Sequence, residues 1–372
     1  MIYLDNNATT RPDDQVIEVM NHYLAEDFGN AGSISHRLGS TAKQAVERSR
    51  SIIADYLGVM TTDIVFTSGA TEANNIATLG LTRWLTEQDR SVVTSTVEHK
   101  AVIEPVQQME ALGVQALFLD PTPGSFARFT AEDVIGRLPS NVGLVSLMWA
   151  NNETGCVSDI EGIAAAIKRA HPDCLIHSDF TQGLGKLEPL NLEHIDMLSA
   201  SGHKIYGPKG IGFLYINRHA RKRCKPLVFG GGQERGLSPG TQPVFLIAGL
   251  GKAVELCKNE FSARQDHLAK IRAVMIEVMD SAGGALNSSG DRLPNTMNLY
   301  IPNRDAEATM IRLKDDFAVS SGSACTSATF EPSHVLKSIF PEEPARWAQS
   351  LRFSWSHQTP IFSSKDMSAF II

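Results

Sequence analysis

The chain has 372 residues, of which 42% are hydrophobic and 20% charged, and a formal net charge of −7. That length supports a large core and two domains, and the acidic balance gives no general reason to expect direct nucleic-acid binding. No apolar run reaches the roughly 18–20 residues that span a bilayer, and Met1-Ile2-Tyr3-Leu4-Asp5 lacks the basic and apolar regions of a signal peptide, so a cytoplasmic location without membrane contact is expected.

Short apolar runs alternate with helical periodicity through the first two thirds of the chain. In order, the pattern predicts helices over 15–24 and 40–57, a strand at 64–67, a helix over 71–86, a strand at 91–96 and a helix over 100–112. Strands at 114–119 and 144–149, a helix over 160–170, strands at 175–177, 197–200 and 212–216, and a helix over 244–259 follow. Seven strands separated by helices imply an α/β fold, a mostly parallel seven-stranded sheet with helices on both faces. The basic run His219-Ala220-Arg221-Lys222-Arg223 reads as a solvated turn, and the glycine-rich stretch 230–240 as a loop. From about residue 256 the pattern changes to a long charged helix over 261–280, a strand-like run at 296–301 and the alternating run Ser350-Leu351-Arg352-Phe353-Ser354. This is the pattern of a smaller α+β domain. The expected division is a large domain of 14–255 and a small domain of 1–13 and 256–372, which carries Cys325.

In open α/β sheets the ligand sits beyond the carboxyl ends of the strands. Polar groups fall there after five strands: Ser68-Gly69-Ala70-Thr71, His99, Asn151-Asn152, Asp179, and His203-Lys204. Lys204, in Ser201-Gly202-His203-Lys204 after an apolar run, is placed as a lysine that forms an imine, or else is a surface lysine like Lys209. Asp179 at a strand end fits a carboxylate facing a protonated pyridine nitrogen, or a helix cap. The small residues 68–71 suit backbone N–H groups holding a phosphate at a helix start, or a simple cap by Thr71. His99 can stack on an aromatic ring or move protons, or be structural. Arg352 matches a carboxylate in a two-pronged bond, or lies on the surface.

Five cysteines, Cys156, Cys174, Cys224, Cys257 and Cys325, form no CxxC pair, so neither a metal site nor a disulfide framework is expected. Four fall in or beside regular elements and read as packing. Cys325 sits in Ser320-Ser321-Gly322-Ser323-Ala324-Cys325-Thr326-Ser327, a small polar loop in which a thiol is either an accessible nucleophile or a small buried residue at a helix start. A lysine held for an imine and a thiol on a loop together point to pyridoxal 5'-phosphate (PLP) chemistry on a sulfur-containing amino acid.

With these segments in hand, the chain resembles the cysteine desulfurases of the PLP-dependent class V aminotransferase family, in the group I (NifS/IscS-like) branch. The carriers are Tyr3-Leu4-Asp5-Asn6-Asn7-Ala8-Thr9-Thr10, 68–75, Val97-Glu98-His99, Asn151-Asn152-Glu153, 201–210, 230–235 and 320–327. The resemblance implies PLP-dependent transferase fold type I, with Lys204 bearing PLP, Asp179 on the ring nitrogen, Gln182 on the ring hydroxyl and His99 stacked on the ring. It implies Ala70, Thr71, Ser201 and His203 at the phosphate, with Thr241 supplied by the second subunit of a homodimer. Asn152 and Arg352 would hold the carboxylate of L-cysteine. Cys325 would take the substrate sulfur as a persulfide, release L-alanine and pass the sulfur to a protein acceptor. Iron–sulfur assembly, tRNA thiolation and DNA phosphorothioation are the candidate pathways. Selenocysteine lysis, another class V reaction or a non-catalytic sulfur-relay docking role are the alternatives. The chain departs from the family pattern at Ser238-Pro239, where an arginine is usual, and at Phe180, where alanine is usual. It also ends at Ile372, without the extension that housekeeping members use to dock a scaffold, which makes a dedicated acceptor the expectation.

Overall fold

The computed structural model describes residues 1–321, 332–367 and 370. The strands are β1 (Ile2–Tyr3), β2 (Ile64–Thr67), β3 (Ser91–Ser95), β4 (Ala116–Leu119), β5 (Val142–Ser146), β6 (Leu175–Asp179), β7 (Met197–Ser201), β8 (Gly212–Ile216), β9 (Ala285–Leu286), β10 (Thr296–Tyr300), β11 (Phe317–Ala318) and β12 (Ser350–Ser354). Seven of them form one sheet in the order β2-β8-β7-β6-β5-β3-β4. The pairs β3–β4, β3–β5, β5–β6 and β6–β7 are parallel, and β8 runs antiparallel to both β2 and β7. The mostly parallel α/β sheet expected from the sequence is therefore present.

Alternation along these strands splits the apolar side chains between two cores. Ile64, Phe66, Val93, Val145, Ile176, Leu198 and Phe213 join the core on one face, and Val65, Val92, Leu144, Leu175, Met197 and Leu214 join the core on the other. The first core is covered by α1 (Asp14–Ala25), α2 (Arg37–Leu57), α7 (Ile160–Ala170) and α9 (Val244–Asn259). The second is covered by α3 (Ala70–Thr78), α4 (Thr82–Glu87) and α5 (Lys100–Ala111). Between α5 and α7 lies the short α6 (Ala131–Ile135). Each fully buried Val, Leu or Ile contributes about 1.5–3 kcal/mol, so burial on both faces holds the helices to the sheet.

A third core surrounds the antiparallel sheet β12-β10-β9 and α10 (Phe261–Ser281), with Leu4, Leu268, Met275, Leu299, Leu351, Phe353 and Trp355 at its centre. The N-terminal segment is tied into this region: β1 pairs in parallel with β11, Asp5 bridges Ser354, and Asn7 N–H donates to Ser354 Oγ at 2.9 Å.

Two sequence expectations need correction. The helix expected over 71–86 breaks at a 3-10 turn, Leu79–Leu81, into α3 and α4. Segment 224–225 presses on that turn: a Cβ at Gly80 would lie 2.5 Å from Cys224 Sγ, and Lys225 N–H donates to Gly80 O at 2.8 Å. The basic run is not a turn but the helix α8 (Arg218–Arg223), capped by Asn217. Two of its charges are engaged: Arg221 contacts Asp63 at 3.4 Å and Arg223 lies over the Trp84 ring at 4.6 Å. The glycine-rich stretch also holds a buried ion pair. Glu234 accepts two bonds from Arg50 of α2, at 2.8 and 2.9 Å, and one from Phe66 N–H at 2.8 Å, which anchors that loop to β2.

Candidate active site

A cavity of about 500 Å³ opens beyond the carboxyl ends of β2, β3, β5, β6 and β7. Its volume lies in the usual range for small-molecule and cofactor sites. Each of these strands ends in a residue or turn that faces it: Ser68 to Thr71 after β2, His99 after β3, Asn152 after β5, Asp179 and Gln182 after β6, and Ser201, His203 and Lys204 after β7. Arg352 reaches it from β12, and Asn7, Ala8 and Thr9 close it from the N-terminal segment.

Lys204 lies on the 3-10 turn Gly202–Lys204 at the end of β7. Its Nζ donates to Ala8 O at 2.7 Å and to Asn7 O. Asp179 is buried at the last position of β6 and its carboxylate is fixed on both sides. Oδ2 accepts from Asn74 Nδ2 at 2.8 Å and Oδ1 from Thr181 N–H at 2.9 Å. Asp179 thus makes a cap-like turn as well as facing the cavity, so the two sequence readings of it are compatible. Gln182, one turn later, donates from Nε2 to Asn7 O at 3.0 Å and accepts at Oε1 from Lys186 Nζ at 2.7 Å.

At the opposite end, α3 begins without a side-chain cap. Gly69 before it has φ 156° and ψ −178°, a conformation that side-chain-bearing residues rarely adopt, and a Cβ there would come 3.7 Å from Ser201 Oγ. The first N–H groups of α3, the Thr71 hydroxyl and Ser201 make a donor-rich end suited to an anion. His203, bonded through Nδ1 to Thr9 Oγ1 at 3.1 Å, has its pKa pulled down to about 3 by burial and by the nearby Lys204, Lys209 and Lys186. It is therefore a neutral ring at physiological pH.

His99 caps α5: its Nδ1 accepts from Ala101 N–H at 3.1 Å, which places the proton of the neutral ring on Nε2. Behind it Glu98 is 1% exposed, and Oε1 accepts from Ser95 Oγ and Met148 N–H, both at 2.9 Å. Burial, with a smaller push from Asp179, raises the Glu98 pKa from 4.5 to about 8, against the lowering effect of those two bonds. The folded protein keeps a proton that the unfolded chain gives up, so the stability Glu98 supplies is full below pH 4.5 and is lost as pH rises toward 8. Glu98→Gln should gain stability relative to the parent as pH rises through that window, read by urea unfolding at several pH values. A difference that is flat with pH would contradict a proton held on Glu98.

Arg352 is 1% exposed, so the surface reading of it is wrong. Its Nη2 contacts Asp5 Oδ1 at 2.7 Å and its Nη1 donates to Asn152 O at 3.1 Å. Of the two adjacent asparagines, Asn151 is structural: its Oδ1 accepts from Glu153 and Thr154 N–H, both at 2.9 Å. Thr241 is exposed and does not line this cavity. Cys325 lies outside the described residues, and the other four cysteines are buried. Phe180 turns from the cavity into the core, its ring 4.7 Å from that of Trp149, so its bulk does not narrow the site. Ser238 bonds Glu72 Oε1 at 2.7 Å, linking its loop to the first turn of α3. Asn7, Asn74 and Lys186 were missed as site residues. The quoted segments at 3–10 and 68–75 contained the first two without singling them out. No sequence signal marked Lys186.

The class V aminotransferase model matches residues 2–360 of the chain. This chain belongs to the class V aminotransferase family. A cysteine desulfurase IscS of Histophilus somni (strain 2336) is 41% identical over 344 residues, covering 91% of this chain and 84% of that relative. A structure of DndA from Streptomyces lividans matches with TM-score 0.81 and 38% identity, over 94% of this chain and 98% of that one. A structure of SspA in complex with cysteine matches with TM-score 0.83 and 34% identity, over 95% and 98%. The family member described here is a PLP-dependent enzyme of the cysteine desulfurase kind, with fold type I architecture. The cavity's own chemistry fits PLP: an uncapped helix start for phosphate, a fixed carboxylate for the ring nitrogen, an amide for the ring oxygen and an amine for the aldehyde. Among the described residues no helix is long and apolar enough to cross a membrane.

Proposed function

We propose that this enzyme converts L-cysteine to L-alanine and leaves the sulfur on Cys325. The thiol of Cys325 exchanges with the substrate: its S–H and the substrate's C–SH become S–SH on the enzyme and C–H in alanine. The observation that carries the reading is the convergence of Lys204, Asp179, Gln182, His99 and Arg352 on one cavity at the strand ends. When bound through Lys204, PLP supplies an electron sink that loosens the substrate Cα–H bond and activates its Cβ–S bond.

The chain's residues have distinct tasks. Asp179, pinned by Asn74 and Thr181, holds the ring-nitrogen proton. Ala70, Thr71, Ser201 and His203 would hold the phosphate. His99 would stack on the ring, and the Lys204 amine would carry protons at the substrate. Arg352 and Asn152 hold the substrate carboxylate, with Asp5 aiming the guanidinium. A homodimer would bring the exposed Thr241 of one copy to the other's phosphate end, and the exposed Leu227, Val228 and Phe229 suit such an interface. The division into units 14–255 and 1–13 with 256–372 is supported by the third core, whose buried members all fall in the second unit. The sulfur goes to a protein acceptor in iron–sulfur assembly, tRNA thiolation or DNA phosphorothioation, in the cytoplasm.

The test is PLP-loaded enzyme given L-cysteine without reductant. Alanine and a persulfide on Cys325 should appear in equal amounts, and absence of alanine would sink the reading. Arg352→Ala should raise the KM for cysteine and lower kcat/KM about ten- to hundredfold, because bonds to charged groups contribute roughly 1.5–3 kcal/mol. Its PLP content should be unchanged. A fall in cofactor occupancy at unchanged KM would make Arg352 a purely structural partner of Asp5.

A further inference from the structure

Beside the cavity lies a second lysine that the proposed chemistry does not use. Lys186 follows the β6 turn by seven residues from Asp179 and is 3% exposed, unusual for a lysine. Its Nζ donates to Gln182 Oε1 at 2.7 Å. Gln182 itself is 5% exposed, lines the cavity and donates from Nε2 to Asn7 O at 3.0 Å.

An amide has one accepting end and one donating end, and a buried amide adopts whichever orientation its neighbours demand. A lysine ammonium can only be served by the oxygen end. Were the Gln182 amide turned over, its NH₂ would face the Lys186 amine, and its oxygen would face the Asn7 carbonyl. Both contacts would then be donor to donor or acceptor to acceptor, inside a buried site where each lost bond is costly. Asn7 O is a weaker constraint, since it is shared with Lys204.

We propose that Lys186 is a positioning residue that locks Gln182 with its nitrogen toward the cavity, making it a hydrogen-bond donor to the ring oxygen of PLP. This rests on the reading of Gln182 as a cofactor contact and deepens it. The lock does not require charge on Lys186. Burial first, then Lys204 and Arg352, lower its pKa to about 7, with the Cys257 thiol opposing them. The ammonium only donates; the amine can also accept, but a turned amide would still set its oxygen against Asn7 O, so the amide stays oriented on either side of that titration.

The experiment uses PLP-loaded protein without cysteine and reads the pH midpoint of its visible absorbance change. A donor on the ring oxygen weakens that oxygen's hold on the neighbouring imine proton, so losing the donor raises the midpoint. Gln182→Leu should raise it by about half to one pH unit. Lys186→Met should raise it by a similar amount, and the double variant should move no further than Gln182→Leu alone. Lys186→Gln, a neutral side chain that still donates, should keep the parent midpoint. An unmoved Gln182→Leu overturns the reading of Gln182 as a cofactor contact, and this inference with it. A moved Gln182→Leu with an unmoved Lys186→Met overturns the inference alone, as does a double variant in which the two shifts add. If Lys186→Met does not fold, Lys186→Gln decides: a midpoint displaced as far as that of Gln182→Leu overturns the lock.

Discussion

Cys325→Ser should bind PLP and L-cysteine as the parent does, yet produce no alanine and no sulfide above background. Binding and the first proton movements need the lysine amine and the cavity's polar groups, and neither step uses a thiol. The step it removes is attack on the substrate sulfur. At neutral pH a thiol offers a few per cent of thiolate, whereas a serine hydroxyl offers a far weaker nucleophile to sulfur. The spectrum of the loaded variant should still change on adding cysteine and then stall. Near-parent alanine formation by this variant would reject Cys325 as the nucleophile. Loss of the spectral change would show that Cys325 also takes part in binding.

Lys204→Ala should lose stable cofactor attachment and alanine formation together. The geometry gives the reason: Lys204 Nζ is the cavity amine at the end of β7, held on the carbonyls of Asn7 and Ala8. Removing it takes away the attachment point and the proton carrier, and acid–base groups alone contribute about 10²–10⁴-fold. Borohydride reduction of the parent followed by peptide mapping should find the pyridoxyl group on Lys204. A label on Lys209, which also lines the cavity, would move the assignment there.

The sheet was legible because its strands are short, apolar and buried on both faces, which leaves an unmistakable pattern. The strand at 64–67 and the helices over 160–170 and 244–259 have the predicted bounds. Period alone cannot see what another segment does to a helix, so the break at Gly80 was missed. Short helices such as Ala306–Leu313 and His334–Ile339 have too few turns to show a period. The cavity residues at strand ends were legible because topology dictates where strand ends go. Lys186 was not, since a lysine after glycine reads as surface until its burial is seen. From its residues alone Arg352 stays open between a carboxylate grip and the surface for the same reason. Its acidic partner, Asp5, is 347 positions away.

That distance has a consequence for how the enzyme comes into being. The cavity wall is assembled from segments far apart in the chain: Asn7 on Lys204 and Gln182, and Asp5 on Arg352. At roughly 5–20 residues per second, a ribosome needs about seven to thirty seconds to travel from the lysine turn to β12. Through that interval the nascent chain already has Lys204 and the Asn7 and Ala8 carbonyls, but it lacks β11 and β12, which hold the N-terminal segment in place, and the Arg352 guanidinium. Competent capture of the vitamin-derived group therefore waits for β12 to join the N-terminal segment, and return of yellow colour on refolding reports that closure.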